Sequence, residues 1–325
     1  MKTVKGGYAV TAAILALSLA AVGCTKPPKW KDDLDAALAK QAEVKQYAFT
    51  GETDLDIGLP APPSGANAAT TTLVSLFSKS QISWTGLSSS EPKRLEADYK
   101  LTPGGSSAST SFTLPVILTE GKLYMSIPLL NKEGEYFSFE TAKPSTSGSG
   151  AASALPVDGL SNVNKALSDS LRQLLQDFDA KWFKKDKEAE ELPDGKSGTV
   201  LRMSITESNR DAITEKIKTK LPAVIDVWKT DGILTTAQAD ALKKGVSGTW
   251  KLTSGELAFT LDEEGFIRKE TVKINYQPAD GTDRHISYTQ AFNGINQPPA
   301  FQKETPKNVK PFEDVLKLLQ NSSAK

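Results

Sequence analysis

The chain has 325 residues, a formal net charge of zero at neutral pH and 38% hydrophobic residues. That composition supports a sizeable core and presents no strong basic face to neutralise phosphates, so no nucleic acid partner is expected. One cysteine and one histidine exclude an internal disulfide and close most routes to zinc sites and nucleophilic triads.

Lys2 and Lys5 precede an apolar run over residues 8–22 that ends in Ala21-Val22-Gly23-Cys24. A permanent bilayer span takes about 20 residues, so the run is too short to be one. Its order reads as a lipoprotein signal peptide over residues 1–23. Gly23 is the small residue that lipoprotein signal cleavage requires, and Cys24 stands at the cleavage point as the lipidated N-terminus. A diacylglyceryl group on Cys24 inserts two acyl chains, enough for stable attachment. The expected location is the extracytoplasmic face of the cell membrane, with membrane lipid as the first partner. Residues 24–31, which include Pro27 and Pro28, form a tether, and residues 32–325 read as one α+β domain.

Residues 32–46 place Leu34, Ala37, Leu38 and Ala42 at helical spacing. Tyr47, Phe49, Gly51, Thr53, Leu55 and Ile57 then alternate with polar residues, the period of a strand with one wet face. Residues 60–72 are rich in Pro, Ala, Ser and Thr and read as a flexible insertion, followed by an apolar helical turn at Leu73, Leu76 and Phe77. Strands follow at Ile82 and Trp84 and at Leu95, Ala97, Tyr99 and Leu101. Phe112, Leu114, Val116 and Leu118 return through Glu120-Gly121 to Leu123, Met125 and Ile127, a hairpin. A second Ser/Gly/Ala-rich insertion, over residues 141–157, leads to a helix with the stripe Val163, Leu167, Leu171, Leu174 and Phe178.

Leu201, Met203 and Ile205 form another strand, and residues 206–221 a helix. Thr235 to Gln238 has capping-box spacing for a helix ending at Gly245. Trp250, Leu252, Leu257, Phe259 and Leu261 begin a meander, continued by Phe266, Val272, Ile274 and Tyr276 and by Ile286, Tyr288 and Phe292. Residues 298–311 are an extended connection anchored by Phe301, before a closing helix at Phe312, Val315, Leu316 and Leu319. The expected fold class is α+β: a large curved antiparallel β-sheet of about ten strands, a half-barrel with helices packed on its concave face.

Catalytic and metal chemistry find little support, and no cofactor is expected. His285 shares a strand face with Ser287 and Thr289, where water suits it. The pairs Asp32/Asp33, Glu190/Glu191 and Glu263/Glu264 read as solvated carboxylates. A calcium loop around Asp231-Gly232 would need ligands at Val227, Lys229 and Gln238, which cannot supply them. Asp54 and Asp56 share a wet strand face, and no phosphate-binding glycine loop occurs. The remaining chemical signal is a set of strand-borne apolar residues. Phe49, Leu55, Trp84, Tyr99, Phe112, Met125, Phe259 and Tyr288 are candidates for lining an apolar cavity between sheet and helices.

The lipobox, the N-terminal helix leading into Val44-Lys45-Gln46-Tyr47-Ala48-Phe49-Thr50-Gly51, and the segment Gly121-Lys122-Leu123-Tyr124-Met125-Ser126-Ile127-Pro128 resemble the LolA/LppX-type lipoprotein superfamily, in particular small surface lipoproteins of Gram-positive bacteria with that fold. The resemblance implies a curved sheet with helices inside it and an apolar cavity for lipids or acylated molecules; it transfers no catalytic residue. Two functions follow as expectations. One is a non-catalytic, membrane-anchored binding protein for a hydrophobic ligand. The other is an envelope scaffold or signalling lipoprotein with a solid core that binds another envelope protein.

Replacing Cys24 removes the thiol that lipidation needs without touching any expected strand or helix. Cys24→Ser is therefore expected to shift the protein from the membrane to the soluble fraction, or to leave it with its signal uncut, at unchanged fold; fractionation with intact-mass measurement decides it.

Overall fold

The computed structural model describes residues 29–57, 79–104, 111–128, 130–140 and 163–312. The expected signal peptide, Cys24, the insertions expected at 60–72 and 141–157, the turn expected at Leu73 to Phe77 and all but Phe312 of the expected closing helix lie outside them. Thirteen strands form one open, curved sheet. They are β1 (Gln46–Asp56), β2 (Lys79–Ser90), β3 (Lys93–Pro103), β4 (Phe112–Thr119), β5 (Lys122–Met125), β6 (Tyr136–Glu140), β7 (Phe183–Lys185), β8 (Glu190–Glu191), β9 (Ser197–Ile205), β10 (Trp250–Leu261), β11 (Ile267–Pro278), β12 (Arg284–Asn293) and β13 (Val309–Pro311). The spatial order is β13-β6-β5-β4-β3-β2-β1-β12-β11-β10-β9-β7, with β8 beside β9. Every ladder is antiparallel except β13 on β6. β1 and β12 are neighbours, so the last long strand closes against the first and both halves of the chain share one sheet.

Register explains the core. Phe49 faces Phe292 across β1 and β12 and Gly86 across β1 and β2, and pairing continues in phase outward on both sides. One surface thus collects Tyr99 and Leu101 of β3, Leu114 and Val116 of β4, and Leu123 and Met125 of β5. On the other side it collects Val272 and Ile274 of β11, Leu257 and Phe259 of β10 and Leu201 and Met203 of β9. Two irregularities in the β10–β11 ladder, between Leu252 and Ser254 and between Thr260 and Leu261, hold this phase, as bulges do when an extra residue must be absorbed. One consequence differs from simple alternation: Ile267, fully buried, takes the inward place expected for Phe266, whose ring instead lies under the Lys40 ammonium at 3.9 Å.

Helices cover this concave face. In α1 (Trp30–Ala42), Asp32 and Asp33 favour the first turn and Lys40 the last. Leu34, Ala37, Leu38 and Gln41 are buried at spacings of three and four. α2 (Val163–Leu175) buries Ala166, Ser168, Ser170 and Leu175. Ser170 Oγ accepts from Trp228 Nε1 at 2.7 Å, tying α2 to α3 (Arg210–Thr230), which runs nine residues beyond the expected end at 221 and through Pro222. Thr214 Oγ1 accepts from the Leu252 amide at 3.2 Å and docks α3 on β10. α4 (Thr236–Val246) starts at the capping box expected of Thr235 and Gln238; Gly245 lies inside it, with the cap at Ser247.

The opposite, convex face is wet and charged. Arg202 bridges Asp186 at 2.8 Å and Glu256 at 2.6 Å. Asp56 is held by Lys79 and Arg284. The connection before β13 crosses this side, where the Phe301 ring stacks under Arg94 at 4.6 Å and Lys303 pairs with Asp98 at 2.5 Å. β6, β7, β8 and β13 went unread in the sequence because runs of two to five residues show no resolvable period.

Aromatic rings need room over the sheet, and two glycines supply it. A Cβ on Gly86 would stand 2.6 Å from the Phe49 ring and 2.5 Å from the Glu96 carbonyl oxygen; backbone cannot yield as a flexible side chain does. Gly86→Ala, which elsewhere in a strand would stabilise, is expected to cost about 1–3 kcal/mol, the range of overpacking, measured by denaturant unfolding.

Candidate functional site

Between the middle of the sheet and the first two turns of α2 the packing leaves a cavity of about 280 Å³. Its floor and walls come from Tyr47 and Phe49 of β1, Trp84 of β2, Tyr99 of β3, Tyr288 of β12 and Glu270 of β11; Val163, Asn164, Leu167 and Ser168 of α2 form its roof. The register dictates this meeting, since Trp84 pairs with Tyr99 and Val272 with Tyr288. Ring centroids of Trp84 lie 5.7 Å from Tyr288 and 6.3 Å from Tyr99, and Tyr47 packs edge-on to Phe292 at 5.5 Å. Trp84 Nε1 donates to Gln290 Oε1 at 3.2 Å, which fixes the indole as one wall. Leu167, 41% exposed, stands at the roof edge.

Of the eight residues expected to line a cavity, Phe49, Trp84, Tyr99 and Tyr288 do so. All eight share the concave face by register, but the other four stand elsewhere on it. Phe259, 1% exposed, is sealed in the main core. Met125 packs with Phe137 and Phe139 in a second cluster under β4 to β6. Leu55 and Phe112 sit half-buried toward the far ends of β1 and β4, outside the cavity walls. The α2 stripe divides likewise: Leu171 and Leu174 join the core while Val163 and Leu167 roof the cavity.

Glu270 was not anticipated. Counting back by two from Tyr276, Ile274 and Val272 puts it on the apolar face, and that was the available signal. Its Cα partners are Phe259 on β10 and Gln290 on β12. Among the described residues its carboxyl has neither a hydrogen bond nor an ion pair. The side chain is half-buried and lines the cavity, and desolvation pushes its pKa up to about 7. Burial raises Tyr47 to about 12 and Tyr99 and Tyr288 upward as well, so the three phenols stay protonated. Glu190 shows the contrast. Burial alone would raise it, but Lys269 and Thr260 hold it below the usual carboxylate range. Glu190 is therefore a bonded clamp between β8, β10 and β11 rather than the solvated residue expected.

Other candidate positions are occupied by ordinary contacts. His285 lies 3.6 Å from Asp54 on the convex side. Among the described residues no group of three or more His, Cys, Asp or Glu is placed to hold a metal ion, and no helix is long and apolar enough to cross a membrane. A wider groove of about 590 Å³ between α1 and α2 is lined by Lys31, Asp35, Asp169 and Arg172; Arg172 pairs with Asp35 there at 3.1 Å, and the groove offers little apolar surface.

No protein-family model and no curated protein matches the chain. Among solved structures, LprF from Mycobacterium bovis aligns over 85% of this chain and 97% of its own, at 11% identity and a TM-score of 0.39. A DUF1329 family protein from Desulfovibrio piger aligns over 86% and 96%, at 9% identity and a TM-score of 0.22. A porin-like protein from Bacteroides uniformis aligns over 75% and 96%, at 10% identity and a TM-score of 0.20. Likenesses this weak say nothing of ligand or activity. The architecture that the LolA/LppX-type resemblance implies, a curved antiparallel sheet with helices across its concave face, is the one observed.

A carboxyl that ionises near 7 in the fold and near 4.5 in the unfolded chain binds more protons when folded, so its contribution to stability is present below 4.5 and is lost as pH rises to 7 and beyond. Glu270→Gln is expected to be about neutral at pH 4.5 and stabilising at pH 8 by up to about 3.5 kcal/mol, at about 1.4 kcal/mol per pH unit of displacement. Thermal unfolding of both proteins at the two pH values measures the difference.

Proposed function

We propose that this chain is a non-catalytic, lipid-anchored protein of the extracytoplasmic membrane face that holds a hydrophobic ligand in the cavity under α2. The observation that carries the reading is the aromatic lining itself: six rings around about 280 Å³ of space that the core leaves open. Small hydrophobic ligands bind in concave, mostly apolar clefts with a few polar groups, and a cleft with this aromatic lining on the sheet midline is such a place. The anchor expected at Cys24 agrees with this reading, since it would put the cavity at a membrane, where such guests are found. The scaffold alternative asks for filled space beneath the helices and gains no contact or surface in its favour.

Gently purified full-length protein should carry a co-purifying lipid in native mass spectrometry and should bind a neutral fluorescent fatty-alcohol probe. Ser88, a small half-buried residue of the cavity wall beside Tyr47 and Leu95, is the place to fill it. Ser88→Phe is expected to abolish probe binding while circular dichroism and the unfolding midpoint stay close to wild type; undiminished binding would remove the cavity from the account.

A further inference from the structure

An apolar pocket for plain hydrocarbon has no use for a carboxyl on its floor. Buried or partly buried glutamates elsewhere in the fold are each answered: Glu96 by Arg94, Glu135 by Lys310, Glu190 by Lys269 and Glu256 by Arg202 and Lys273. Glu270 alone in this set points into open space without a partner among the described residues. A desolvated carboxylate in that position is costly until a positive charge or several donors reach it.

We propose that the cavity receives the head group of a cationic amphiphile, an organic ammonium on a hydrocarbon chain, with Glu270 as its counter-charge and the rings of Tyr47, Trp84, Tyr99 and Tyr288 as its walls. Aromatic faces attract an ammonium group most strongly where water is excluded, and several rings around one site form the cage by which quaternary ammonium ions are held. The groups facing Glu270 agree. From β1, β3 and β12 they are the phenols of Tyr47, Tyr99 and Tyr288; from β10 the Phe259 ring; from α2 the neutral Asn164 and Ser168. No cationic side chain among the cavity-lining residues competes for the carboxylate, and an anionic head group would meet its charge. The size also selects. A hollow of about 280 Å³ admits a trimethylammonium group and the first methylenes, and leaves the rest of the chain to pass Leu167 at the roof edge.

Glu270 then couples binding to pH. Ionised Glu270 attracts the cation and protonated Glu270 does not, so the affinity for an ammonium of fixed charge rises between about pH 5.5 and 8, across the value near 7 at which this carboxyl titrates in the empty cavity.

This inference rests on the proposed binding function, and one titration series separates the two. Full-length protein is titrated calorimetrically with dodecyltrimethylammonium, dodecanol and dodecanoate, each below its micellar concentration, at pH 5.5 and 8, with wild type and Glu270→Gln. At pH 8 wild type should bind the ammonium about tenfold to hundredfold tighter than the alcohol, the worth of an interaction with a charged partner, and dodecanoate weakest. The ammonium preference over dodecanol should shrink at pH 5.5 and vanish in Glu270→Gln, whose circular dichroism spectrum, kept at the wild-type shape, certifies its fold. Equal affinities for the three probes, or a preference that survives Glu270→Gln, would refute the cation site and leave the apolar cavity standing. Should Glu270→Gln fail to fold, the pH dependence in wild type decides alone, and a preference that is flat with pH refutes the site. If none of the three probes binds, the cavity reading and the cation site fail together.

Discussion

The fold depends on phase. Side chains of a strand alternate faces, so one apolar surface can extend over a dozen strands only if every ladder keeps its register. Here it does, from β5 through β3, β1 and β12 to β9, and the bulges flanking Leu252 and Leu261 restore it where the spacing of apolar residues departs from two. A surface that size cannot stay in water. At about 25 cal/mol for each Å² of apolar area withdrawn, covering it is what recruits α1, α2 and α3, and the curvature of the sheet gathers them on one side.

Cover is uneven, and that unevenness makes the site. α1, α3 and the end of α2 seal β9, β10 and β11, where Phe259, Met203 and Ile267 are all but inaccessible. A smaller cluster around Leu123 and Phe137 closes the other flank. Between the two, the start of α2 is what roofs the sheet midline among the described residues, with Val163, Asn164, Leu167 and Ser168 over the rings. Gly51 and Gly86 let Trp84 and Phe49 lie close to the sheet, and the space over them remains. The cavity is thus a seam between two cores, and its polar exception, Glu270, stands within it because β11 is the strand that passes from sealed core to seam.

Charge follows the same division. The convex face carries bonded pairs such as Arg202 with Asp186 and Lys303 with Asp98, each exposed enough to be worth little on its own. Among the described residues the concave face of the sheet holds Glu270, a carboxyl without an answer. A group of that kind lowers stability wherever it is ionised, and a protein tolerates such a cost most readily where a ligand returns it.

Much of this was legible in the residues. The alternation of Tyr47 to Leu55, of Leu95 to Leu101 and of the strands from Trp250 to Phe292 comes from a period that burial on one face imposes, and the capping box at Thr235 and the Glu120-Gly121 reversal, with both residues at positive φ, come from local backbone chemistry. These are short-range rules and need no knowledge of neighbours. The lipoprotein signal expected over residues 1–23 is likewise a reading from order alone. What only the tertiary structure decided is which inward residues share a seam and which share a core: Phe259 and Tyr288 look alike along the chain, yet one is sealed in the main core and the other lines open space. Periodicity assigns a face, whereas cover depends on which helix crosses that strand and how large its side chains are. Glu270 was hidden for the same reason, because a carboxylate among apolar residues acquires meaning only when Tyr47, Trp84 and Tyr288, separated from it by up to 223 positions, are brought around it.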